Sequence, residues 1–202
     1  MIKTIDDLKY YLACDKVALK IPSNRRRPRP VFDSIWKYEI ILRRAEYHKN
    51  NNGLLHKILY VYERIRLEKL GIKLSIFIRP NVFGPGLSIA HYGGIVVNQN
   101  AQIGRNCRIH EGVTIGATNG NDKAAVIGDN CFIGSGAKII GEIELGNNVT
   151  IGAGTVVIKS VEDDNATLVG NPARLVNHNG SAQNIVNATA IVDDVLTKEK
   201  SK

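Results

Sequence analysis

The chain lacks any run near the roughly twenty apolar residues that a membrane span needs. Its first stretch, MIKTIDDLKYYLACDK, is charged and amphipathic rather than signal-like, so a cytoplasmic location is expected. Cysteine is scarce. Three in 202 residues make no disulfide framework, and nothing around them has the spacing of metal ligands. Cys107 and Cys131 read as small inward hydrophobes, and Cys14 lies in a helical segment. The net charge of +8 could suit nucleic acid, but the basic run Arg25, Arg26, Arg27, Pro28, Arg29, Pro30 has no interleaved aromatics and no accompanying motif. No serine or cysteine stands beside a histidine as an activated nucleophile would, and no close histidine pair suggests zinc. Neither a nucleic-acid partner, nor a bound metal, nor a covalent intermediate on the enzyme is expected.

What the chain has is a rhythm of six. From Val97 an aliphatic residue returns at Ile103, Ile109 and Ile115, then at Ile127, Ile133, Ile139, Leu145, Ile151 and Val157, with a break only at Asn121. Glycine follows it at Gly104, Gly116, Gly128, Gly134, Gly146 and Gly152, and asparagine stands three past it at Asn106, Asn130 and Asn148. Six matches neither the helical period of 3.6 nor the strand period of 2. It matches a solenoid in which each hexad supplies a short strand and a turn, and three hexads close a triangular coil. The aliphatic residue points inward, and glycine or asparagine turns the corner, where left-handed backbone is cheapest for those two types.

The sequence divides into residues 1–75, a basic helical region; 76–177, the solenoid; and 178–202, a polar tail expected to be mobile. Residues 1–75 hold 17 Lys and Arg against 8 Asp and Glu, so they carry all of the excess charge. That charge allows peripheral contact with an anionic membrane surface. Thr4 is placed to cap a first helix, Asp33 a second over SIWKYEIILRRAEYHK, and a third helix is predicted to stop at Gly71. His48 and His56 fall at helix ends and read as surface residues.

The rhythm slips once. Ile89 to Val97 is eight steps, so two surplus residues leave the coil as a bulge, Ala90-His91-Tyr92-Gly93-Gly94, and His91 is pushed outside the core wall. If three inward steps make a coil, Ile109 stacks on Ile89 and His110 lies over Ala90. The same counting stacks Ile115, Ile133 and Ile151, which puts Ala117, Ser135 and Ala153 in one file beside Thr118, Gly136 and Gly154. Such an edge exposes backbone amides and would accept a slender amide-bearing arm. Residues 117–125, ATNGNDKAA, read as an excursion loop near that edge.

The hexads, the segment SIAHYGGIVVNQNAQIG, the run VTIGATNG and the close VGNPARLV resemble the hexapeptide-repeat acyltransferases. The resemblance is to the serine acetyltransferase branch and its capsule- and exopolysaccharide-locus relatives, over roughly residues 35–177. It implies a left-handed parallel β-helix following an α-helical N-terminal region, and assembly as a homotrimer or a dimer of trimers with sites between subunits. It also implies acetyl-CoA as acyl donor, lying along coil edges. The family's catalytic histidine matches His91, which makes His91 the expected general base. Backbone contacts to the pantetheine arm carry over to Ala117, Thr118, Ser135 and Ala153, and Lys159 and Arg174 resemble basic positions near the nucleotide phosphates. His110 and Tyr92 are candidate acceptor contacts.

The departures concern the acceptor. The family's aspartate before the histidine is Ala90 here, its Asp-Arg-His-Pro loop aligns with Asp122, Lys123, Ala124 and Ala125, and the aspartate that orients the imidazole aligns with Phe77. The chain ends in Lys202 rather than the isoleucine that docks into a sulfhydrylase, so that partner is not expected. The first reading is therefore an O-acetyltransferase acting on a sugar hydroxyl of a surface polysaccharide or its precursor. The alternative is serine O-acetyltransferase of cysteine biosynthesis, and a third reading is a non-catalytic β-helix scaffold.

Overall fold

Helices come first because the apolar spacing changes from helical to hexad only after residue 75. The computed structural model describes residues 1–118, 120 and 122–200, without the side chains of 199 and 200. The expected break at Asn121 lies outside the described residues. Helix α1 (Ile5–Ala18) opens with a capping box in which Thr4 accepts from the Asp7 amide and Asp7 returns the bond. Helix α2 is Ser34–Lys49, and α3 is Leu54–Leu74. Two local expectations are corrected. Asp33 stands at the start of α2 but makes no side-chain cap; its carboxylate turns back to Arg29 at 3.0 Å and Arg25 at 3.4 Å. Helix α3 does not stop at Gly71 but runs through it. A Cβ there would stand 2.6 Å from the Ile76 carbonyl oxygen, so the glycine serves a close approach rather than a helix end. At the α2–α3 corner the Nδ1 atoms of His48 and His56 lie 3.0 Å apart.

From residue 76 the chain winds into a left-handed parallel β-helix with three faces. One face holds β1 (Ile76–Phe77), β3 (Ile95–Val97), β6 (Thr114–Gly116), β9 (Lys138–Ile140) and β12 (Val156–Val157). A second holds β4 (Gln102–Ile103), β7 (Val126–Ile127) and β10 (Glu144–Leu145). The third holds β2 (Ser88–Ile89), β5 (Arg108–Ile109), β8 (Phe132–Ile133), β11 (Thr150–Ile151), β13 (Thr167–Val169) and β14 (Arg174–Asn177), the last pair antiparallel. Ile89, Val97, Ile103, Ile109, Ile115, Ile127, Ile133, Ile139, Leu145, Ile151 and Val157 are all buried, as their phase requires. One corner is an asparagine file: Asn106, Asn130, Asn148 and Asn165 have φ between 55° and 62°. The first three also hydrogen-bond side chain to side chain, at 2.8 and 3.0 Å. Asparagine tolerates this left-handed backbone and also supplies an amide to the next coil, which glycine cannot.

The helical layer closes the N-terminal end of the column, with Tyr38, Ile41, Leu42, Leu67 and Leu74 in the same core as the coil residues. The polar tail expected after residue 177 is corrected in part: Ala188–Lys200 forms helix α4. Its Ala188 and Val192 pack on Cys14 and Ala18 of α1. Among the described residues no helix is long and apolar enough to cross a membrane.

Candidate active site

Strand β2 pairs with β5 so that Ile89 lies against Ile109, as the coil arithmetic requires, and the Ala90 amide donates to the Ile109 carbonyl at 2.9 Å. The chain then leaves the coil. Gly93 at φ 123° and Gly94 at φ 64° turn it back, and Ile95 returns to the interior. His91 and Tyr92 are exposed on this bulge. His110, the residue after β5, sits under it. The two imidazoles meet edge to face with centroids 5.8 Å apart, and His110 also meets the Phe132 ring at 5.1 Å. The expectation that no close histidine pair exists is therefore corrected. Nineteen positions separate the two residues in sequence, and it is the stacking of His110 over Ala90, expected from the coil count, that brings them together.

Glu111 completes the cluster. The donor atoms of His91, His110 and Glu111 all lie within 4.8 Å of one another, a set that could orient a ring or hold a divalent ion. One carboxylate oxygen of Glu111 accepts from the Ser135 hydroxyl, and this bond is the main reason its carboxyl is held below the usual range. The other oxygen is buried without a hydrogen-bond partner, 3.7 Å from His110 Nδ1. Burial first, and then the charge of Arg108, lower the His110 pKa; Glu111 opposes them and His91 adds to them. Arg108 itself donates to the Ser88 hydroxyl at 3.0 Å.

The register corrects the file of small residues. Ile133 pairs with Ile109 above and Ile151 below, while Ile115 pairs with Val97 and Ile139. The corner two residues past the third face is therefore His91, Glu111, Ser135, Ala153. Ser135 and Ala153 do share an edge, but Ala117 and Thr118 belong to a different corner, where Thr118 approaches Gly141. The counting failed because residues 117–125 add six positions to one coil. Beside the first file run Gly94, Gly112, Gly136 and Gly154, all with φ between 64° and 73°. A Cβ at Gly154 would meet nothing within 4 Å, so the edge stays open over its lower coils. Lys159 and Arg174 are both exposed. Phe77 faces outward with the Arg79 guanidinium over its ring at 4.3 Å.

On the other side of the bulge lies a cavity of about 420 Å³. Phe32, Trp36, Ala90 and Tyr92 line it, with Asp33 at its wall. Phe32 and Tyr92 are largely exposed, and Arg29 lies over the Phe32 ring. Sequence reading missed this cavity because the segment from Ile21 to Val31 carries no periodic signal.

Known proteins agree with this geometry. The bacterial transferase hexapeptide family (six repeats) matches residues 124–159. A serine acetyltransferase of Staphylococcus epidermidis is 36% identical over 151 residues, covering 70% of each chain. Serine acetyltransferase 5 of Arabidopsis thaliana is 47% identical over 95 residues. The chain spans 30% of the length of that plant relative, and 55% of a Synechococcus elongatus serine acetyltransferase. The crystal structure of serine acetyltransferase in complex with coenzyme A from Brucella abortus superimposes with a TM-score of 0.63 at 27% identity, covering 87% of this chain and 68% of that one. With helices capping a hexapeptide β-helix and a histidine thrown out beside an open edge, the chain belongs to the serine acetyltransferase family.

Proposed function

We propose that the protein is an acetyl-CoA-dependent O-acetyltransferase in which His91 is the general base and serine the acceptor. The observation that carries this reading is the position of His91. A two-residue bulge lifts it out of the core wall at the head of the file that continues through Ser135 and Ala153. Coenzyme A runs along that file, its amide-bearing arm against the backbone of small residues, with Lys159 and Arg174 toward its phosphates. The residues present suit such a ligand because bulk is absent where the arm would lie. The relatives named serine acetyltransferases favour serine over the saccharide acceptor that the sequence put first.

The transfer is direct. The acceptor hydroxyl oxygen attacks the thioester carbonyl while its proton passes to an unprotonated ring nitrogen of His91. The tetrahedral intermediate collapses with cleavage of the carbon–sulfur bond, and the proton returns to the leaving thiolate, giving an acetyl ester and free coenzyme A. Such a base contributes about 10²–10⁴-fold, and alignment of the two substrates supplies a further share. Backbone amides of the bulge glycines beside His91 stabilise the oxyanion; those of Gly112 and Gly136 on the next coils already donate to the Gly93 and Glu111 carbonyls. Subunits associate as a trimer with the donor groove between neighbours, and residues 76–177 carry the machinery.

A second reading, an uncharged hydroxyl on a saccharide, is favoured by one place in the site. Where the family has an aspartate the chain has Ala90, and the adjoining cavity is walled by Phe32, Trp36 and Tyr92, surfaces on which a sugar ring stacks. The test is release of free thiol from acetyl-CoA with serine, nucleotide sugars and oligosaccharide fragments side by side. Turnover on serine supports the first reading, and turnover confined to saccharides supports the second. Turnover by His91→Ala within twofold of the unmodified chain would remove His91 from its role.

A further inference from the structure

We infer that Glu111 is the carboxylate that orients the His91 imidazole, the task that the resemblance gives to an aspartate at the position of Phe77. The inference rests on the acetyltransferase reading of His91. Phe77 cannot do this work: it has no acceptor, its ring lies under Arg79, and it sits on β1, whose partner is β3 rather than β2. A general base without an orienting partner populates both tautomers and several ring angles. Only one tautomer presents an unprotonated nitrogen toward the acceptor.

Glu111 has what the task requires. It occupies the same corner as His91, one coil below, because Ile89 and Ile109 are paired and each residue lies two past its partner in the ladder. Gly93, needed for its φ of 123°, brings the bulge against this residue: a Cβ there would stand at ordinary contact distance, 3.9 Å, from the Glu111 Cβ. The carboxylate is anchored from beneath. Ser135, the next residue in the file, donates to one oxygen, while the Glu111 carbonyl accepts from the Gly136 amide at 2.8 Å. The second oxygen is buried and unpartnered. Buried acceptors are rarely left so. His91 makes no hydrogen bond to it in this arrangement, but a ring nitrogen of His91 lies within 4.8 Å of a Glu111 carboxylate oxygen, and the exposed imidazole is free to turn toward it. His110 forms the wall of this arrangement. Its ring is wedged between Phe132 and His91, and its Nδ1 stands 3.7 Å from the same oxygen, too far for a hydrogen bond. The titratable and charged groups beside the pair are His110 and, next to His110, Arg108. The result is a Ser135–Glu111–His91 file running up one corner of the solenoid, each member supplied by a successive coil.

The test uses the full chain with Glu111→Ala and Glu111→Gln. Nitrogen-15 spectra of the His91 ring, assigned by comparison with His91→Ala, are expected to show one neutral tautomer in the unmodified protein and a mixture in Glu111→Ala. This readout needs no acceptor, so it stands even if the acetyltransfer reading fails. Turnover is expected to fall about 10–100-fold in Glu111→Ala, with the KM for acetyl-CoA within twofold. Glu111→Gln, which keeps an acceptor oxygen and the contact with Ser135, should recover part of the loss. A single tautomer in both proteins, or turnover in Glu111→Ala within twofold, would overturn the inference. Loss of activity to EDTA with recovery on added zinc would also overturn it, because the three side chains would then be metal ligands.

Discussion

Arg43 on α2 and Asp15 on α1 meet at 2.7 Å with neither side chain exposed to solvent. The pair joins the helices to the first coil. Asp15 accepts from the Gly86 and Leu87 amides, and Arg43 donates to the Phe83 and Gly84 carbonyls and to Glu46. This irregular turn, with its carbonyls and amides buried under the helices, leads directly into β2 and the His91 bulge.

Removing one partner from such a network leaves uncompensated buried charge, at a cost of about 3–5 kcal/mol. Arg43→Met is therefore expected to lower the melting temperature by roughly 10 °C, each kcal/mol being worth about 2–4 °C in a chain of this size. Asp6→Asn, which removes an exposed pair with Lys9, should leave it unchanged. Circular dichroism melts of the two variants check this, and equal melting points would contradict the clamp.

The asparagine file makes a graded prediction. Asn130 combines φ of 58° with a donated bond to Asn148 and an accepted one from Asn106. Asn130→Ala loses both bonds and keeps a Cβ in left-handed backbone, where an ordinary L residue costs about 1–2 kcal/mol. Asn130→Gly loses the bonds without that strain. Urea midpoints are expected in the order unmodified, Asn130→Gly, Asn130→Ala.

The solenoid was legible because its period is unlike that of helix or sheet and because glycine and asparagine mark the corners. The bulge at Ala90 was legible for the same reason, since a slip of two in a strict rhythm must go somewhere. Handedness came from resemblance alone. Counting by eighteen failed for Ala117 and Thr118 because the insertion in residues 117–125 lengthens one coil by six, and no local residue announces how such a loop divides. Glu111 was passed over although it stands two past Ile109 as His91 stands two past Ile89: charge next to a histidine reads as a solvated edge until the coils are stacked. Arg43 and Glu46 were hidden by the ordinary rule that charge on a helix faces water. Helix α4 was hidden because its mixed segment follows a polar stretch and its packing partners, Cys14 and Ala18 of α1, lie at the far end of the chain.

Glu39 is fully buried, with one oxygen accepting from the Ile89 amide at 3.2 Å and the other unpartnered. Burial first, and then the charge of Asp15, push its carboxyl well above the ordinary range. In the fold it therefore keeps its proton to higher pH than in the unfolded chain, which ionises near pH 4.3. Above that pH ionisation favours the unfolded chain, and the penalty grows until the folded group also titrates. Glu39→Gln keeps the acceptor for Ile89 and has nothing to ionise. It is expected to melt higher than the unmodified chain at pH 7.5, with the advantage vanishing near pH 4. A constant difference across that interval would show that Glu39 is charged in the fold.

Tyr92 and Phe32 separate the two acceptors. Both rings are more than half exposed beside the cavity that adjoins Ala90, and neither belongs to the file proposed for coenzyme A. If a saccharide stacks there, Tyr92→Ala and Phe32→Ala each remove an aromatic face worth about 1 kcal/mol or more, and the KM for that acceptor rises about 5–10-fold. The KM for acetyl-CoA stays within twofold. For serine, too small to reach both rings from His91, Phe32→Ala should leave acceptor KM unchanged. Steady-state kinetics of the two variants with each acceptor distinguish these outcomes, and a rise in the acetyl-CoA KM alone would move the donor groove to this side of the bulge.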